Sequence, residues 1–234
     1  MISNVDDAKG RQFAGWTALL AVPLGIFNIA SFLAVTGGDI DGLFNGAKAL
    51  SLSADAIRLF HWSMIADSLA WYLMTLVVGG YLWGRLRAGN GALIDIATLC
   101  LVVYATLGVV GCSIQAATLP VLASMHETGD ATMKAATEAS WVAVAQAAQH
   151  GIWWIQQLPS VFWALVVGAA LRRDGKRHGW LLTISGVANL LFFLAIAFNA
   201  HKLGEVPALV ALFSTLGWMA WAGISLLRER DVTA

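Results

Sequence analysis

Six long apolar runs constrain this chain more than any other feature of its sequence. They cover about residues 13–35, 59–83, 93–119, 141–171, 180–199 and 206–227. Each run reaches the roughly 20 residues that a helix needs to cross a hydrocarbon core of about 30 Å. Lipid offers no water to the backbone, so a spanning segment satisfies its hydrogen bonds internally, as a helix does. We therefore predict an all-α polytopic membrane protein, in which residues 1–234 form a single six-helix transmembrane domain.

The composition agrees with a lipid environment. The chain is 59% hydrophobic and 12% charged, whereas a soluble domain has about 45–50% apolar and about 25% charged residues. Net charge is +0, so no overall electrostatic field favours a nucleic-acid partner. Cys100 and Cys112 lie in one helix, about 18 Å apart along its axis, and cannot form a disulfide with each other. The partner that the sequence predicts is the lipid bilayer.

The basic residues predict an orientation. Cytoplasmic loops of membrane proteins carry an excess of lysine and arginine. The loops on the side of the N-terminus hold ten of the 14 basic residues, and the opposite side holds Lys48, Arg58, Lys134 and Lys202. Both termini are therefore predicted to face the cytoplasm. The first apolar run is longer than a signal-peptide core, which predicts a retained helix.

Polar side chains recur at similar depths in the predicted helices. At about 1.5 Å per residue, Asn28 lies roughly 10 Å from the outer end of its run, Asp67 roughly 12 Å, His150 roughly 13 Å and Asn189 roughly 15 Å. Polar groups inside spans usually face the bundle interior or a water-filled cavity. Their shared depth in helices of alternating direction predicts an outward-facing polar pocket.

The fourth helix carries the densest group of these residues. In "AQAAQHGIWWIQQLPSVFW", Gln146, Gln149, His150, Trp153 and Gln157 follow one helical face. Pro159 removes a backbone donor and predicts a kink nearby. The complete predicted ligand-binding set is Asp67, His150, Gln149, Gln146, Trp153, Trp71, Asn28, Gln115, Asn189 and His61.

Other interpretations of these residues stay open. Buried amides such as Gln115 and Asn189 often serve only as hydrogen bonds between helices, worth about 0.6 kcal/mol on average. An acid deep in a span is more costly, so Asp67 is the strongest candidate for a functional role. With His150 it forms a possible acid–base pair. The His, Asp and Glu pattern predicts no metal site, because a zinc site needs three or four converging ligands, and the sequence assigns no cofactor.

One segment resembles a known family. In "FHWSMIADSLAWYLMTLVVGGYLWGRLR", Phe60, Ala66, Asp67 and the "GYLW" of Gly80–Trp83 are similar to a bacterial family of six-helix membrane proteins known only as a domain of unknown function. His61 stands where that family has an arginine. The resemblance implies the six-helix architecture and supports a role for Asp67, and it implies no activity. The location that we predict for the protein is the bacterial inner (cytoplasmic) membrane.

Three functions follow as hypotheses. The first is a protein that binds or moves a small amphipathic or lipid-like ligand in a pocket lined by tryptophans. The second is an intramembrane enzyme that uses Asp67 and His150 as acid and base. The third is an accessory or structural subunit of a larger membrane complex, whose polar residues only join helices. Glycine-rich and alanine-rich faces also leave a homo-oligomer open.

Overall fold

A computed structural model describes residues 4–229, apart from the side chains of residues 4–7, 40 and 201. Within that range it contains helices and no strand. The six long helices are α1 (Asn4–Thr36), α2 (Ala54–Asn90), α3 (Ala92–Thr128), α4 (Ala131–Arg173), α5 (Gly179–Ala197) and α6 (His201–Arg228). Each contains a stretch long and apolar enough to cross a membrane. The predicted class, an all-α protein with six candidate membrane-spanning helices, is confirmed.

Polar side chains cap the N-terminal ends of two helices. The segment "SADAIRLF" predicts an N-cap at Ser53. The Ser53 side chain accepts a hydrogen bond from the Ala56 amide at 3.2 Å, so α2 begins as expected. Asp130 caps α4 by accepting from the Met133 amide at 2.9 Å. The predicted turn at Gly129 is confirmed. The sequence also predicts a short helix on each side of this turn, over residues 120–140, but these residues instead extend α3 and α4, because no glycine or proline interrupts residues 121–128 or 130–146.

Two helices contain π-helical turns. In α2 the π-helix covers Ser68–Leu73, and in α4 it covers Ala147–Ile152. Helix α4 is interrupted again at Gln156, before the segment Gln157–Arg173, close to the kink that Pro159 predicts. Such turns interrupt the regular hydrogen-bond pattern of the α-helix, and they are frequent at functional sites.

The chain divides into two compact units whose segments alternate along the sequence. Unit 1 comprises described residues 4–23, 70–106 and 155–229, and unit 2 comprises residues 24–69 and 107–154. Helices α1 to α4 each contribute residues to both units, whereas α5 and α6 belong to unit 1 alone. The single domain predicted for residues 1–234 remains a prediction.

The core of unit 1 combines tryptophans with small residues. The indoles of Trp163 and Trp218 are buried and meet edge to face, with ring centroids 5.5 Å apart. Helices α1 and α6 approach closely, because a Cβ placed on Gly223 would lie 2.9 Å from the carbonyl oxygen of Gly15. Small residues permit this kind of backbone approach between membrane helices.

Unit 2 is organised around Trp141. Its indole is fully buried, donates a hydrogen bond to the carbonyl oxygen of Leu43 at 2.8 Å and meets the ring of Phe60 edge to face at 6.3 Å. The sequence position of Trp141 near a span end predicts a place in the interfacial aromatic belt, and this prediction is wrong because the segment after α1 covers the indole. The other tryptophans near span ends are exposed, as a belt requires: Trp16, Trp62, Trp83 and Trp180.

The contact between α1 and α6 makes a testable prediction. Gly223→Leu should destabilise the protein by about 1–3 kcal/mol, the usual cost of overpacking, because backbone atoms cannot move aside as a side chain can. Gly84→Leu is the control, since Gly84 is also helical and has nothing within 4 Å of its added Cβ. Thermal unfolding in mild detergent measures both variants. An equal loss in the two would contradict this account of the contact.

Candidate functional site

Most of the predicted site residues fall in the same unit. Eight of the ten lie in unit 2, and Trp71 and Asn189 lie in unit 1. Trp71 is buried within the π-helix of α2, and Asn189 is half-buried on α5. Below, the polar seam means these unit 2 side chains: Asn28, Ser63, Asp67, Cys112, Gln115, Gln146, Gln149 and His150.

Asn28 and Ser63 clamp α1 to α2. The amide nitrogen of Asn28 donates to both the carbonyl and the hydroxyl oxygen of Ser63, each at 3.1 Å. The Ser63 hydroxyl in turn donates to the Asn28 carbonyl at 3.2 Å. Both side chains are buried, so the three hydrogen bonds satisfy groups that lipid would leave unpaired.

A second amide pair joins α3 to α4. Gln149 donates through Nε2 to Oε1 of Gln115 at 2.9 Å, and Gln115 donates to the Gly111 carbonyl at 3.3 Å. One turn further along α4, Trp153 donates to the Gly108 carbonyl at 3.4 Å. A Cβ on Gly111 would overlap the Trp153 indole. The glycine therefore leaves room for the ring between the helices.

Asp67 is the acid of the seam. It is 8% exposed and stands directly before the π-helix of α2. The thiol of Cys112 lies within hydrogen-bonding reach of the Asp67 carboxyl and the Ser68 hydroxyl. Among the side chains that the structure describes, no lysine, arginine or histidine forms an ion pair with Asp67. A carboxyl buried without a cation is energetically costly, and helix packing alone gives no reason to place one here.

His150 lies at an exposed edge of unit 2. Its Nδ1 hydrogen-bonds to Oε1 of Gln146 at 2.5 Å, one helical turn away. The imidazole also stacks on Phe44, with ring centroids 4.7 Å apart and an interplanar angle of 15°. Phe44 ends the 3-10 helix Ile40–Phe44, which follows α1. Within the described part of the chain, His150 and Asp67 form no ion pair, so the structure does not bring the possible acid–base pair into contact.

His61 sits apart from this edge. Its Nδ1 hydrogen-bonds to the carbonyl oxygen of Ala116 at 3.2 Å, and its ring meets Trp62 edge to face. The side chain is half-buried at the start of α2. It links α2 to α3.

Two seam residues, Ser63 and Cys112, are absent from the predicted set, and so is Phe44, which stacks on His150. Ser63 and Cys112 share helical faces with Asp67 and Gln115 in the sequence, so their spacing carried a signal. Phe44 carried none, because a loop residue has no periodicity that predicts its neighbours. In unit 1, buried Gln156 donates to the Tyr72 hydroxyl at 3.1 Å, which agrees with its interpretation as a hydrogen bond between helices.

The chemistry of the seam is that of hydrogen bonding. Among the described residues, no group of three or more His, Cys, Asp or Glu side chains could hold a metal ion. No known protein family, curated protein or solved structure matches the chain. The resemblance of the Phe60–Arg87 segment therefore rests on its own residues.

The Asn28–Ser63 clamp generates a second prediction. A double-mutant cycle with Asn28→Ala and Ser63→Ala should give a coupling free energy of about 0.6 kcal/mol, and at most about 1.7 kcal/mol, the range for such bonds between membrane helices. Reversible unfolding in mixed micelles provides the free energies. Asn28→Ala combined with Ser140→Ala is the control, since the Ser140 hydroxyl bonds within its own helix and the two effects should add. Additivity in the Asn28–Ser63 cycle would contradict the clamp.

Proposed function

We propose that this integral membrane protein binds or moves a small amphipathic or lipid-like ligand at the polar seam of unit 2. Asp67 is the principal polar contact in the interior of the unit. His150, with Gln146 and Gln149, provides contacts at its exposed edge. Apolar contacts come from Phe44 and Trp153.

One observation carries this proposal: the π-helical turn of α4 contains two seam residues, and the π-helical turn of α2 begins directly after a third. Asp67 directly precedes the first turn, and Gln149 and His150 lie within the second. A π-turn sacrifices regular helix geometry and redirects the side chains around it, which is why such turns are frequent at functional sites. Hydrogen bonds between helices require neither a π-turn nor a buried acid.

The exposed edge suits an amphipathic molecule. Phe44 and His150 form a stacked pair of flat rings, and the Gln146 amide lies beside the imidazole. Binding sites for small ligands typically combine apolar and aromatic walls with a few placed polar groups. This edge has both kinds of group.

We expect the purified protein to carry a ligand that is lost when seam residues are mutated. Native mass spectrometry and an absorption spectrum of protein purified in mild detergent should show a bound lipid, quinone or pigment in the wild type. Asp67→Asn and His150→Ala should each lower its occupancy several-fold, because each removes a polar contact. Asn189→Ala is the control, since Asn189 is a polar residue of a span in unit 1.

Two results would contradict the ligand proposal. One is a wild type with no bound mass and no visible absorption. The other is a ligand whose occupancy falls equally in the Asn189→Ala control. Thermal stability of each variant separates loss of the ligand from loss of the fold.

A second candidate function rests on the paired amides. The Asn28–Ser63 and Gln115–Gln149 pairs satisfy each other across neighbouring helices, as expected for a seam that only joins helices. The protein would then be an accessory or structural subunit of a larger membrane complex. Two results would favour this function. The wild-type protein would carry no ligand and co-purify with a defined partner in mild detergent, and the Asp67→Asn variant would keep that partner.

The proposed setting is the inner membrane of a bacterium, with both termini in the cytoplasm. The support is the excess of lysine and arginine on the side of the N-terminus. The basic residues counted on that side are Lys9, Arg11, Arg85, Arg87, Arg172, Arg173, Lys176, Arg177, Arg228 and Arg230, of which Arg230 lies outside the described residues.

Reporter fusions test this orientation. A fluorescent protein that matures only in the cytoplasm should be bright when fused at the C-terminus and dark when inserted at Gly129, because α3 and α4 cross the membrane on either side of that turn. Alkaline phosphatase, which is active only outside the cytoplasm, should give the reverse pattern. The opposite result for both reporters would overturn the orientation.

A further inference from the structure

A groove on unit 1 lies outside the polar seam. It has a volume of about 320 Å³ and is lined by Trp221, Ile224, Ser225, Arg228 and Glu229 near the end of α6. These positions follow one face of the helix. From the membrane-spanning part of α6 towards its end, the lining changes from apolar to hydroxyl to charged. A phospholipid has the same order of polarity along its length.

The apolar part of the groove is open to the surroundings. Trp221 is 46% exposed and Ile224 is 41% exposed. Both belong to the candidate span Lys202–Arg228, so the medium around them is acyl chain. Arg228 closes the same span, at the level where lipid headgroups begin.

The described charged side chains around the groove differ in whether they form an ion pair. The carboxylate of Glu229 forms ion pairs with Arg85, at 2.5 Å, and with Lys176. Burial works against the charged form of Glu229, yet the hydrogen bonds from Lys176 and Arg85 hold its pKa below the ordinary value. The negative charge of Glu229 is therefore already balanced by Arg85 and Lys176.

Arg228 differs from its neighbour. It is exposed and forms no ion pair with any described residue. Its guanidinium has five N–H donors in a planar fork that matches a phosphate. Among the described side chains of this cluster, the cations Arg85, Lys176 and Arg228 outnumber the one carboxylate, that of Glu229, so their charge favours an anion.

We propose that this groove is a binding site for an anionic glycerophospholipid. The phosphate lies against the guanidinium of Arg228 and the hydroxyl of Ser225, and one acyl chain follows Ile224 and Trp221. The site belongs to unit 1 and does not depend on the ligand proposed for the seam. Its specificity is for a negative headgroup, because a zwitterionic lipid brings no net charge to the cluster.

The test is lipid titration followed by native mass spectrometry. Delipidated protein receives phosphatidylglycerol or, in parallel, phosphatidylcholine of the same acyl chains. The wild type should retain phosphatidylglycerol preferentially. Arg228→Gln should lower that retention about fivefold, the effect of about one basic residue at an anionic surface, and Arg228→Lys should recover only part of it, because lysine keeps the charge without the fork.

Arg177→Gln is the matched control. Arg177 is exposed, does not line the groove, and its replacement changes the net charge by the same amount. It should retain phosphatidylglycerol within about twofold of the wild type, a smaller effect than a basic residue in direct contact gives. An equal loss in Arg177→Gln and Arg228→Gln, or equal retention of the two lipids by the wild type, would overturn the site and leave only general surface attraction.

Discussion

The structure depends on one constraint, which is that backbone groups in lipid must find their hydrogen bonds within the protein. This requirement makes each long apolar run a helix and makes every departure from the regular helix costly. The π-turns at Ser68–Leu73 and Ala147–Ile152 are departures of this kind, inside two membrane-spanning helices. They occur beside Asp67 and around His150, where placing polar side chains within a membrane-spanning helix already costs free energy. Asp67 and the whole turn at Ala147–Ile152 lie in unit 2, as do the first two residues of the turn at Ser68–Leu73, and we therefore place the proposed function there.

Polar residues in the two units serve different ends. In unit 2 the amides of Asn28 and Gln149 meet partners on neighbouring helices, and Asp67 meets only a thiol. In unit 1 the charged groups gather near the end of α6, where Glu229 ties together Arg85 and Lys176. The first set consists of amides, a hydroxyl, a thiol, an imidazole and one acid, and the second is an ionic network near the end of α6. The ligand that we propose for the first set would be recognised through hydrogen bonds, and the phospholipid that we propose for the second through charge.

The sequence predicts those parts of the fold and of the candidate site that leave a regular pattern of residues along the chain. Hydropathy alone predicts the six helices, and depth counted along them groups Asn28, Asp67 and His150, which all lie in unit 2. Depth counted along a helix cannot reveal lateral position, so it groups Asn189 with residues of the other unit. Non-periodic segments are also invisible to this reasoning. The burial of Trp141 under Leu43 and the stacking of Phe44 on His150 both arise from the irregular segment between α1 and α2.

The interleaving of the two units has a consequence for biosynthesis. Unit 2 is complete once residue 154 has been made, whereas unit 1 still lacks the end of α4 and all of α5 and α6. Membrane proteins are synthesised from the N-terminus, and compact parts generally fold as units as they emerge. At that stage the nascent chain contains all of unit 2, whereas residues 4–23 and 70–106 still lack the later segments of unit 1. A chaperone or an insertase that shields those early helices would act in that interval.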